Sequence, residues 1–154
     1  RFLFGEIDEV FCQTETLNPV VRAEDFVMLM LRHKSGVRGF IDGNRVAEPD
    51  EQGPAMETVR IEGLDNKIRL RHSGDVLLGD ERTFSAEGVP GYRGDSCCST
   101  QQHFVDCLTN GEEFESEATD YLRKTVAAVE ACYLSAAEHR PVRISEIAIM
   151  VGAV

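Results

Sequence analysis

Apolar and polar positions along the chain change period once, from that of strands to that of helices. Residues 2–5, Phe-Leu-Phe-Gly, read as the last turn of a helix closed by Gly5, because glycine takes the left-handed C-terminal position without a Cβ penalty. Residues 7–17 are rich in Val, Phe, Thr and Ile and predict a strand. Residues 25–32, DFVMLMLR, are apolar on both alternating faces, which predicts a central strand. Residues 56–63, METVRIEG, instead set Val59 and Ile61 against Thr58, Arg60 and Glu62, so this strand has one wet face. Turn chemistry separates the runs: Lys34-Ser35-Gly36 leads into VRGFID, Asp65-Asn66 divides TVRIEG from KIRLRH, and Ser73-Gly74-Asp75 precedes VLLG. Consecutive hairpins imply a mostly antiparallel sheet.

From about residue 97 the apolar period is helical. Cys98, Gln101, Phe104, Val105 and Leu108 share one face, Ser99 with Gln102 forms a potential capping box, and Asn110-Gly111 ends the run. A longer helix follows, with Ser116 as N-cap, Glu117 and Asp120 near its positive end, His139 and Arg140 near its negative end, and Pro141 blocking continuation. Its predicted core stripe is Ala118, Leu122, Val126, Val129, Tyr133 and Ala136; Ala127, Ala131 and Leu134 on the other side predict a second neighbour. The segment PVRISEIAIMV then reads as a returning strand.

Strands first and helices later, without repeated βα alternation, define an α+β fold: a mostly antiparallel open sheet with helices packed on one face. The other face of the sheet needs a cover. Residues 43–56 and 85–96 are long irregular stretches rich in Gly and Pro, and long loops in compact domains carry function more often than short ones.

A chain of 154 residues suits a single domain with a core of its own. Sixteen basic against 27 acidic residues give a formal charge of -11, which repels nucleic acid and anionic lipid. No apolar run approaches the roughly 20 residues that span a bilayer. The five cysteines, Cys12, Cys97, Cys98, Cys107 and Cys132, are odd in number and irregularly spaced, a usage that fits reduced thiols in a cytoplasm.

The strong sequence signals of chemistry are missing: there is no G-x-G-x-x-G, P-loop, H-E-x-x-H, G-x-S-x-G or C-x-x-C. GVPGYRG spaces Gly88, Gly91 and Gly94 by three, without the strand before and helix directly after that a dinucleotide needs. His103 and Cys107 are four apart on one helix face, as metal ligands can be, with Cys97 and Cys98 a turn earlier; packing as small hydrophobes is the simpler role for such thiols. No metal site is expected. Asn44 and Arg45 open a long loop after a strand, where an amide and a guanidinium could hold a polyol, carboxylate or phosphate, or merely a salt bridge. Tyr92 and Arg93, with Asp95, form a similar cluster, Asp95 or Ser96 serving alternatively as a helix cap. Asn44, Arg45, Tyr92 and Arg93 are therefore the candidate substrate-binding residues.

RFLFGEIDEV, the METVRIEGLDNKIRL hairpin, HFVDCLTNGEEFE and YLRKTVAAVEACYLSAAEHRPVRI, in that order and spacing, resemble the C-terminal domain of the glucose-fructose oxidoreductase and inositol dehydrogenase family, Gfo/Idh/MocA. The resemblance runs from about Phe2 to Ile144. It implies a sheet domain like the C-terminal domain of glyceraldehyde-3-phosphate dehydrogenase, within a two-domain NAD(P)-dependent oxidoreductase. In the family a Rossmann domain comes first, with the glycine fingerprint and a lysine in a Glu-Lys-Pro motif. An Asp and a His lie on the helix entering the second domain, and that helix ends in a stretch like RFLFGE.

By that resemblance residues 1–154 are expected to be one C-terminal substrate-binding and oligomerisation domain, cut just after the catalytic residues, so none of those is carried onto a position here. NAD or NADP is expected for the parent protein and no cofactor for this part alone. The expected partners are the parent's own Rossmann domain, a small sugar or polyol substrate, and a second copy against the open sheet face. The alternative of a different class is a non-catalytic assembly or ligand-sensing module of the same fold.

Overall fold

The computed structural model describes residues 1–46, 57–85, 95–114 and 121–150. The chain divides into two compact units, one of Arg1–Glu48 with Glu115–Val154 and one of Pro49–Phe114.

In the first unit, β1 (Ile7–Glu15), β2 (Phe26–His33), β3 (Arg38–Asn44) and a later two-residue strand β8 (Val142–Arg143) form an antiparallel sheet in the order β3-β2-β1-β8. β2 is interior, as its two-sided apolar sequence predicts. Cross-strand partners share a face. Val10 lies opposite Leu31 and Gly39, and Cys12 opposite Leu29 and Ile41, on one side; Phe11, Met30 and Phe40 line up on the other. A π-helical turn, Tyr121–Val126, leads into α2 (Ala127–Glu138), which covers the first side. Val10, Ala127, Ala131, Val142 and Ile147 form the buried core, with Leu29 and Leu31 packed against it.

The helix face that does this is not the one the sequence pattern indicates. Ala127, Ala128, Ala131 and Ser135 are buried, whereas Val129 and Tyr133 of the predicted stripe are 47% and 46% exposed. Small side chains let the helix axis come close to the sheet, and close approach outweighs the size of the apolar groups on the opposite side. Ala118 and the proposed Ser116 cap lie outside the described residues. The helix stops as expected: His139 takes the left-handed position at φ 55°, and Pro141 has no N–H to continue the ladder.

The segment after Pro141 corrects the expectation of a strand. Only Val142–Arg143 pairs, with β1, and residues Ile144–Met150 turn into a short helix, α3. The Glu146 carboxylate accepts the Arg143 backbone N–H at 2.8 Å, which is the reach-back half of a capping box. Ile144 and Ile147, three apart, then fall on one buried side.

In the second unit, β4 (Val59–Glu62), β5 (Lys67–Leu70), β6 (Val76–Leu78) and β7 (Glu81–Phe84) make an antiparallel meander. The strands thus divide between two sheets of the expected pairing. β4, β5 and β6 fall on the predicted runs; β7 lies where the sequence reading assigned nothing. Helix α1 (Asp95–Asn110) ends at Gly111, φ 69°, and the Glu112 N–H reaches the Cys107 carbonyl at 2.9 Å. That bond is the 6→1 closure of a glycine C-cap.

Candidate functional site

Two of the four candidate binding residues lie within the described residues. Asn44 is the last residue of β3, opposite Phe26, and its side-chain oxygen accepts the Val46 N–H at 3.2 Å. Arg45 follows, and its N–H donates to the Asp25 carbonyl at 2.8 Å. Tyr92 and Arg93 lie outside the described residues.

Sequence reasoning passed over the residue that builds this corner. Asp25 is 5% exposed, and its two carboxylate oxygens accept the Leu17 and Asn18 N–H groups, each at 2.7 Å. Those amides, Leu17 first, hold its carboxyl below the ordinary Asp value by stabilising the charged form. Asp25 thus holds the loop after β1 through its side chain and the start of the loop after β3 through its backbone carbonyl. Next to it, Glu24 accepts the Tyr133 hydroxyl at 2.7 Å, which anchors the same loop to α2. The shared bond lowers the Glu24 pKa and raises that of Tyr133. The available signal was the Glu24-Asp25 pair directly before an apolar strand, a position suited to side-chain capping of a turn.

Asn44 and Arg45 are exposed, and in the loop after β1 Leu17 and Val20 are 56% and 87% exposed. Such a surface can hydrogen-bond hydroxyl or carboxylate groups and pack against carbon. Among the described residues it brings no nucleophile and base into contact.

A concavity of about 270 Å³ is lined by Glu6, Ile7, Asp8, Lys34, Lys124, Ile144 and Ser145. The Glu6 carboxylate pairs with Arg1 at 3.1 Å and Lys124 at 3.4 Å, and the Arg1 hydrogen bond is the largest influence holding its pKa down. Arg32 reaches both Asp8 and Glu9, at 2.7 and 3.3 Å, across a bulge in β1 that lets two successive acids face one arginine.

Cys107 Sγ stands 3.8 Å from His103 Nε2, and the His103 ring lies 5.5 Å from that of Phe114. Among the described residues no group of three His, Cys, Asp or Glu is placed to share a metal ion. A pyrophosphate needs a strand, a glycine turn and a helix N-terminus in succession. Among the described residues β8 runs directly into α3 with no glycine between them.

Residues 1–69 match the family model described as the GFO/IDH/MocA C-terminal domain, and the chain is similar over nearly its whole length to sugar dehydrogenases and oxidoreductases. It is 31% identical, over 96% of its length, to a D-apiose dehydrogenase of Paraburkholderia graminis, and covers 42% of that protein. With a D-apiose dehydrogenase of Rhizobium rhizogenes the identity is 29%, over 94% of this chain and 45% of the relative. The chain thus spans less than half the length of the curated relatives it matches. A crystal structure of an Agrobacterium radiobacter oxidoreductase in complex with NAD+, L-tartaric acid and magnesium superposes with a TM-score of 0.82 at 28% identity, over 96% of this chain and 46% of that one.

Proposed function

We propose that residues 1–154 form the C-terminal substrate-binding and oligomerisation domain of a cytoplasmic NAD(P)-dependent dehydrogenase acting on a sugar, a polyol or a related compound. The observation that carries this reading is the alignment of 96% of the chain with a D-apiose dehydrogenase, which makes D-apiose the first substrate to test. Hydride transfer requires a positioned nicotinamide, and the parent's Rossmann domain supplies it. The odd number and irregular spacing of the five cysteines support a cytoplasmic location.

In this reading Asn44 and Arg45, together with Tyr92 and Arg93, contact the substrate's hydroxyl groups, and Asp25 is a positioning residue that fixes the backbone before Arg45. The exposed sheet face takes a second copy. Met30 and Phe40 are 52% and 61% exposed there. Arg38 and Asp42 flank Phe40 on the same face, so a two-fold axis through Phe40 sets each Arg38 against the partner copy's Asp42. A surface of that kind is self-complementary.

The test is a full-length protein assayed for reduction of NAD+ and NADP+ with D-apiose and a panel of aldoses and polyols. Turnover on one of them, with a raised KM in Arg45→Ala, is expected. A full-length protein that binds neither cofactor contradicts the reading and favours a non-catalytic module.

A further inference from the structure

In the concavity of about 270 Å³ within the first unit, arginines satisfy the acids and lysines are left over. Arg1 sets Nε 3.2 Å from one Glu6 carboxylate oxygen and Nη2 3.1 Å from the other, a fork that occupies both. Lys124 Nζ stands 3.4 Å from an oxygen already taken, beyond the roughly 2.7–3.2 Å of a well-formed hydrogen bond. Asp8 has its own arginine, Arg32, at 2.7 Å. Lys34 Nζ and Ser145 Oγ, which also line the concavity, form no ion pair and no hydrogen bond. Even counting Glu9, which shares Arg32 at 3.3 Å, four cations meet three acids here, the reverse of the balance in a chain of charge -11.

The backbone fixes Lys34 beside the cavity. Its N–H donates to the Glu6 carbonyl at 2.8 Å, and Gly36, at φ 91°, closes the turn by donating to the His33 carbonyl at 2.9 Å. Ile7 and Ile144, both packed against the core, give the cavity apolar sides. An ammonium group is a point charge without the planar fork that matches carboxylates. Two of them with a hydroxyl suit a phosphate group, which as a monoester carries about -1.5 to -2 charges at pH 7. A volume near the lower end of ligand pockets, which run from roughly 300 to 1,000 Å³, limits any attached carbon skeleton to a short one. Lys34 lies in the turn before β3 and Asn44 at the far end of that seven-residue strand, so roughly 20 Å of strand separates this cavity from the corner at Asn44.

We propose that the cavity is a phosphate site, taking the free ion or a short phosphate ester: Lys34 and Ser145 hold the phosphoryl oxygens, Lys124 turns from Glu6 to join them, and Ile7 and Ile144 flank any attached carbon. Arg1 keeps Glu6 paired when Lys124 leaves it. All of these groups belong to this chain, so the site stands whether or not the full-length protein is a dehydrogenase.

Calorimetric titration of the full-length protein with inorganic phosphate, and separately with glycerol 3-phosphate, in chloride buffer of matched ionic strength, tests the site. Saturable binding is expected, weakened at least about tenfold in Lys34→Gln by loss of a charged hydrogen bond and less in Ser145→Ala. Both side chains are exposed, so the variants keep the fold, which circular dichroism checks. Tighter binding of glycerol 3-phosphate assigns the site to an ester, and equal or weaker binding assigns it to the free ion; either supports a phosphate site. Absence of saturable binding by the unaltered protein overturns it. Undiminished affinity in Lys34→Gln also overturns it, and displacement of that phosphate by NADH would then place the anion in a nucleotide site.

Discussion

Ser135 and Cys12 join helix to sheet through one hydroxyl: Ser135 Oγ accepts the Cys12 N–H at 2.9 Å and donates to the Arg140 carbonyl at 2.6 Å. Ser135 is fully buried, so neither backbone group has water as a substitute. Ser135→Ala is expected to lower stability by about 1–3 kcal/mol, the cost of leaving buried polar groups unpaired. Urea denaturation measures it, and a change within error would show that the two groups find other partners.

The Ala face of α2 gives a second expectation. Ala131 has no exposed surface, and Ala131→Leu should cost about 1–3 kcal/mol by forcing helix and sheet apart. Val129→Ala, on the exposed side, should stay within about 0.5 kcal/mol. The reverse ranking in thermal unfolding would restore the stripe that the sequence pattern indicates.

Those two sites also show where the sequence was readable. Period-two runs located β1 to β6, and the two-sided apolarity of residues 25–32 placed β2 inside its sheet. Gly5 and Gly111 both adopt positive φ where a helical turn ends. The buried side of α2 was misread because hydrophobicity scores Val129 and Tyr133 above alanine, while the packing rewards closeness. VRISEIAIM satisfies both periods, and the Glu146 bond to the Arg143 N–H decides for the helix. Of the candidate site, Asn44 and Arg45 were legible as loop-opening polar groups. Asp25 was signalled only by its place directly before an apolar strand, because its partners are backbone amides that carry no signature of their own.

Asp25 predicts a pH response. Its folded pKa lies below the ordinary 3.8, so the anchoring it provides is fully present above that value and is lost as pH falls through the lower, folded one. Hydrogen exchange at the Leu17 and Asn18 amides, referenced to intrinsic rates, should show protection at pH 5 that vanishes in strong acid. Asp25→Ala should lose it already at pH 5 and weaken substrate binding in the full-length protein. Unchanged protection in the variant would remove Asp25 from its positioning role.

The sheet face offers a charge-swap test. Arg38→Asp alone should weaken self-association, and Arg38→Asp with Asp42→Arg should restore it, since the proposed two-fold axis pairs each residue with the other. Phe40→Ser should abolish it by removing the central apolar contact. Analytical ultracentrifugation reads all three, and an unaltered sedimentation coefficient in Phe40→Ser would move the interface elsewhere.

The most direct test of the central claim is calorimetric titration of NADH into the 154-residue chain and into the full-length protein side by side. Binding by the full-length protein with no heat of binding in the shorter chain is the predicted result. Saturable micromolar binding by the 154 residues alone would contradict it.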